Sequence, residues 1–206
     1  MRPLYKLYSP SAEDTDGLVN DATGATSPLT QLTTGPGDGL AHQINITSAA
    51  NLSSITFTLT GTDADGVTQT EAVTGPNATT VESTGYFRTV TSIAISATLG
   101  ANTVDLGWVD EFVTPTIPFN WYNSEASVRT VVTGTINYTA QQTFSPMRTR
   151  AEDGPFDWSD STDTDLVSAT TSQISTFDKP ITGFRIKANS YSSTATLGLF
   201  MVYGEA

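Results

Sequence analysis

The chain contains no cysteine, so neither disulfides nor thiolate metal sites can hold it together, and its stability has to come from burial and backbone pairing. Basic residues are also scarce: nine Lys and Arg stand against 21 Asp and Glu, for a formal net charge of −12. Phosphate binding needs clustered Lys and Arg, so no nucleic-acid partner is expected. No apolar run approaches the ~20 residues of a membrane span. The opening Met1-Arg2-Pro3-Leu4-Tyr5-Lys6-Leu7-Tyr8 also lacks the roughly 7–15-residue apolar stretch of a secretory signal. The expectation is therefore synthesis in the cytosol and no membrane partner. A sustained 3.6-residue apolar period is missing too, which predicts that helix is scarce.

What the chain has instead is threonine, its commonest residue, in a sequence of 206 residues of which only 15% are charged. A β-branched hydroxyl side chain suits the wet face of a pleated sheet. At this length the chain can form one large β-sandwich or two small ones. Ile44 and Ile46 alternate with Asn45 and Thr47, and Ile55, Phe57 and Leu59 alternate with Thr56, Thr58 and Thr60. Period two with threonine on the second face reads as half-buried antiparallel strand. Asp63-Ala64-Asp65-Gly66 then supplies a hairpin turn, with Thr68 to Thr74 as the returning strand, because Asp-Gly between strand-like runs is a strong hairpin signal.

The fold class expected is all-β, an antiparallel sandwich or jelly-roll-like arrangement of two small β domains with an extended N-terminal arm. Residues 1–40 form the arm, rich in Ser, Thr, Gly, Asp and Pro with short strands. The first β domain runs over 41–113. A break falls at Pro115-Thr116-Ile117-Pro118, since proline cannot donate to a central ladder. The second β domain covers 119–206 and carries an acidic loop at about 145–165.

Each candidate chemical group has a plainer reading beside it. His42 is the only histidine, so a Ser-His-Asp triad would have to use it, yet no Gly-x-Ser-x-Gly elbow is present. It reads as a strand-edge imidazole. Asp63, Asp65 and Glu71 imitate the ends of a calcium loop but lack its third ligand and flanking helices, so an Asx-stabilised turn is the better reading. The acidic loop with Asp157-Trp158 could mimic a glycosidase cleft, but closeness in sequence does not set the carboxylate separation that glycoside hydrolysis requires. No catalytic group, metal or cofactor is expected. The Asn-x-Ser/Thr sites at Asn45, Asn51, Asn77 and Asn137 are what so hydroxyl-rich a chain produces by chance.

Trp121 and Tyr122 follow the proline break and are either core anchors or contact aromatics. Tyr5, Leu7 and Tyr8 are apolar residues on an arm with little to pack against, and point to a subunit interface in which the arm adds a strand to a neighbour's sheet.

Ile55 to Gly66, Thr70 to Pro76 and Tyr86 to Ile93, joined in the second half by Gly134 to Phe144 and Lys179 to Ile186, resemble a pattern found in structural proteins of tailed-bacteriophage virions. The resemblance runs from Ser53 to the C-terminus and weakens across the acidic loop. It implies a non-enzymatic virion component, foremost a capsid decoration or cement protein on the outer head surface. Its partners would be the major capsid protein or other virion subunits, and it would form a homo-oligomer. Head–tail connector, tail and head-fibre roles stand beside it, as does a carbohydrate-binding module using Trp121, Tyr122 or Trp158.

Overall fold

The computed structural model describes residues 3–24, 27–119, 126–145, 156–177 and 181–203. Trp121, Tyr122 and residues 146–155 of the acidic loop lie outside them. The fold is all-β, and a 3₁₀ turn at Thr164–Leu166 is the one helical element among the described residues. The chain divides into two compact units: a middle unit, Ser11–Val113, and a terminal unit made of Met1–Pro10 together with Thr114–Ala206.

The middle unit is a two-sheet sandwich. One sheet has the order β2 (Asp14–Thr23), β8 (Thr103–Val113), β3 (Ala41–Asn51), β6 (Asn77–Phe87); the other has the order β5 (Thr68–Thr74), β4 (Thr56–Thr62), β7 (Thr89–Ile95). Every pairing is antiparallel. The core between the sheets includes Leu18, Ile44, Ile46, Phe57, Leu59, Ile93 and Leu106, each no more than 1% exposed. Burying such side chains is worth about 1.5–3 kcal/mol apiece and offsets the entropy of ordering the strands. The β4–β5 hairpin closes as expected: Asp63 Oδ1 accepts from the backbone N–H of both Asp65 and Val67, and Gly66 takes the positive φ of +80°. Gly107 serves a different need, because a Cβ there would clash with the carbonyl oxygen of Asp14 and would push β2 off β8.

The terminal unit also packs two sheets. The first has the order β1 (Leu4–Tyr8), β15 (Thr196–Tyr203), β10 (Ala126–Thr133), β13 (Ile174–Phe177). The second has the order β12 (Trp158–Asp160), β11 (Ile136–Thr143), β14 (Gly183–Tyr191), with the two-residue β9 (Ile117–Pro118) also on β14. Between them lie Val128, Tyr138, Phe184, Ile186, Leu197, Leu199 and Met201, all fully buried. Two ties cross this core. Phe177 and Phe184 meet edge to face with centroids 5.4 Å apart, and the Tyr138 hydroxyl bonds Thr130 Oγ1 at 2.6 Å and donates to the carbonyl of Thr171 at 3.0 Å.

The first forty residues, read from sequence as an arm, are shared between the units. Leu4–Tyr8 is an edge strand on the chain's own β15, and Asp14–Thr23 pairs with β8. Strand addition thus occurs within the chain: β1 pairs with the chain's own β15, where a neighbouring subunit's sheet was expected. The part of the acidic stretch that is described carries β12 and the 3₁₀ turn, capped by Asp163. A three-residue strand is too short to show a period, which is why it read as loop.

Candidate interaction surface

In a strand, alternate side chains face opposite sides, so the four-stranded sheet of the terminal unit sends one parity to the core and the other outward. Inward go Val128, Leu197, Leu199 and Met201. Outward, the register aligns Tyr5 of β1, Phe200 of β15, Arg129 of β10 and Ile174 of β13 in one row across the whole sheet. The next row is Leu7, Gly198 and Val131. Thr196 and Thr133 flank it on one side; Val202, Ser127 and Thr176 lie on the other. Ile174 is 72% exposed, Leu7 56%, Tyr5 53%, and Phe200 and Val202 38% each. Scattered exposed apolar residues are ordinary, but a contiguous group of this kind on one sheet face is a candidate contact surface.

The face has relief. Gly198 leaves a hollow of about 280 Å³ bounded by Tyr5, Leu7, Val131 and Phe200, with Arg129, Thr133 and Thr196 at its margins. The Tyr5 ring leans on Phe200, with centroids 4.4 Å apart at 35°, and so holds one wall in place. Among the twelve outward positions there is no carboxylate, in a chain with 21 acidic residues. Arg129 is the only charge on this face, and no carboxylate of the described residues pairs with it.

Of the residues singled out from sequence, Tyr5 and Leu7 stand on this face. Tyr8 has the opposite parity and is half buried; burial raises its phenol pKa, and a hydrogen bond with Thr114 partly offsets that shift. Trp121 and Tyr122 lie outside the described residues. Sequence reasoning missed Arg129, Ile174, Gly198, Phe200 and Val202. A signal was present in β15, whose sequence Leu197-Gly198-Leu199-Phe200-Met201-Val202 is apolar at both parities. A strand of that kind has something to cover on each side.

The other candidates resolve into structural roles. His42 stands at the start of β3, as expected, but is wholly buried: Nε2 lies 3.0 Å from Asp38 Oδ2, and Nδ1 lies 3.4 Å from the carbonyl of Val109. Both ring nitrogens thus have partners. Burial pushes the Asp38 carboxyl up, but the hydrogen bond from His42 and those from the backbone N–H of Ser11 and Leu40 outweigh it, and the net shift is downward. Glu71 is bound by the backbone N–H of Thr84 and Gly85, away from the Asp63 turn. Arg185 lies over the Trp158 ring, 4.3 Å from its centroid, and its Nε donates to Gln141, so one face of that indole is occupied by the protein itself. Asn45 is 1% exposed and cannot present its amide for glycosylation in the folded chain.

No protein-family model matches the chain, and no curated protein matches it. Among solved structures, the major capsid protein P2 from bacteriophage PM2 aligns over 98% of both chains at 10% identity with a TM-score of 0.22. A score that low does not establish a shared fold.

Proposed function

We propose that the protein is a non-enzymatic structural component of a phage virion, and within that class a capsid decoration protein. The carrying observation is the exposed apolar face of the β1–β15–β10–β13 sheet, which needs a partner to cover it. The resemblance of its hydroxyl-rich strands to tailed-phage structural proteins supports the same reading. So does the engagement of its sole histidine in a buried pair with Asp38.

The mechanism is linkage. A protein that binds only the assembled shell lowers the free energy of that state relative to free subunits, by an amount that grows with the logarithm of its concentration over Kd. Symmetry repeats each contact over the particle, so a modest interface suffices. The net charge of −12 keeps many copies soluble before assembly and suits an outer surface better than one facing DNA. Particles prepared with and without the protein, heated in parallel, are expected to lose integrity at different temperatures. Superimposable melting curves would remove the stabilising role, and a copy number of a few per particle would move the protein to the connector or tail.

A further inference from the structure

We propose that the outer face of the β1–β15–β10–β13 sheet is a socket for a segment of another protein that places an apolar side chain over Gly198 and a carboxylate on Arg129. The inference rests on reading this face as the contact surface and names the chemistry of what it contacts. Size comes first: the hollow of about 280 Å³, with its polar groups Arg129, Thr133 and Thr196 at the margins, falls below the roughly 300–1,000 Å³ of small-molecule sites. It is large enough for an inserted side chain.

Charge then chooses the partner. Arg129 sits in the register between Phe200 and Ile174, with no carboxylate partner among the described residues. Covering this face with an apolar surface alone would bury an unpaired guanidinium, which is strongly unfavourable. A second copy presenting the same face would bring a second Arg129 and no acid, because an isologous contact sets identical surfaces against each other. A partner carrying its own Asp or Glu satisfies the guanidinium in bidentate fashion.

Gly198 is the part of the socket that local folding does not require. It lies in a central strand, where glycine has no side chain to pack and weakens the ladder. A Cβ there would meet nothing nearer than Val131 Cβ at 3.5 Å and Tyr5 Cε2 at 3.7 Å, so a side chain fits sterically. Its absence opens the hollow.

The test uses the full chain and a displayed library of short random peptides, selected on wild type with Gly198→Leu as counter-target. The expected winners combine Asp or Glu with Leu, Met or Phe. A synthetic winner should bind Gly198→Leu about tenfold or more weakly, with Gly198→Ala in between, while the thermal midpoints of both variants stay level or rise. Arg129→Glu should weaken the same peptide, and replacing the peptide's acid by lysine should restore binding to Arg129→Glu. Winners indifferent to both positions, or none that distinguish wild type from Gly198→Leu, overturn the socket. A wild-type dimer in sedimentation that Gly198→Leu disperses would make a second copy the occupant and overturn the acidic partner. Because no particle is present, failure here is separable from failure of the capsid-melting test.

Discussion

Two sheets in this molecule share one inner design and differ on the outside. In the middle unit, the β5–β4–β7 sheet buries Phe57, Leu59, Ile93 and Ile95 and turns Thr56, Thr58, Thr60, Thr62, Thr70 and Ser92 outward. Hydroxyls there bond across strands, Thr62 to Thr89 at 2.7 Å and Thr60 to Thr70 at 3.4 Å, and Thr91 donates to the Thr60 carbonyl. In the terminal unit, the β1–β15–β10–β13 sheet buries Leu197, Leu199 and Met201 but turns Tyr5, Leu7, Phe200, Val202 and Ile174 outward. Folding accounts for the inner faces of both. It accounts for the outer face of the threonine sheet as well, since a hydroxyl-rich pleat is stable in water. The apolar outer face gains nothing from folding alone, and this difference is what the proposed contact would account for.

The largest effects should come from the inner faces, where the two sheets ought to behave alike. Leu59→Ala and Leu199→Ala each remove a wholly buried side chain and should each lower unfolding free energy by about 2–5 kcal/mol in urea titrations. A much smaller loss for Leu199 would mean that the terminal unit's core is loosely packed, and would break the premise that only the outsides differ.

The buried polar ties come next, and pH separates them. Asp38 has a lowered pKa in the folded middle unit. Between its folded and unfolded values the unfolded chain therefore holds more protons, so its stabilisation is complete above the unfolded value of about 3.9 and is lost as pH falls. Tyr138, in the terminal unit, has a raised pKa because burial disfavours the phenolate, with the Thr130 hydrogen bond partly opposing. Its contribution is complete below the unfolded value of about 10 and is lost as pH rises. Asp38→Asn should flatten the acid limb of stability against pH and destabilise by about 2 kcal/mol at neutral pH, the scale of a hydrogen bond to a charged group. Tyr138→Phe should flatten the alkaline limb and destabilise by about 1–2 kcal/mol, since Thr130 and the Thr171 carbonyl lose a partner. Far-UV circular dichroism against pH reads both limbs. An acid limb unchanged in Asp38→Asn would place the sensitive carboxylate elsewhere.

The same contrast explains what could be read in advance. The threonine sheet was legible because its two faces differ in chemistry: Ile55, Phe57 and Leu59 against Thr56, Thr58 and Thr60 put the period-two signal in the sequence itself, and the returning strand fell at Thr68–Thr74 as read. The apolar face was not legible. Arg129, Ile174 and Phe200 become neighbours only through antiparallel pairings between strands far apart in the chain, and β15 hides its period by being apolar on both sides. The exposure of Tyr5 and Leu7 could be anticipated because apolar residues near a terminus stand out locally. Tyr8, grouped with them, faces the other way, since adjacent strand positions cannot share a face. The pairing of His42 was missed because its partner Asp38 sits in a Gly-rich turn, where a carboxylate ordinarily caps backbone N–H groups and does not pair with an imidazole.

Cross-strand hydroxyl pairs should contribute less. Thr62→Val keeps the branched shape and removes the 2.7 Å bond to Thr89, and a shift of about 0.2–1 kcal/mol is expected in thermal melts. A larger loss would show that the threonine face is held together by its hydroxyls and is not merely wetted by them.

The smallest stability change should come from giving the apolar face the chemistry of the other sheet. Ile174 is 72% exposed on the edge strand β13, and Ile174→Thr preserves the β-branch that suits a strand while removing apolar surface that touches mostly water. Such exposed substitutions shift stability by no more than about 0.5 kcal/mol. If the face exists for a partner, the same change should nonetheless reduce retention on particles, measured by pelleting with increasing salt and competitor, because an apolar contact is replaced by a hydroxyl with nothing to bond. Retention equal to wild type would put Ile174 outside the contact and confine the surface to the Tyr5, Leu7 and Phe200 end of the sheet.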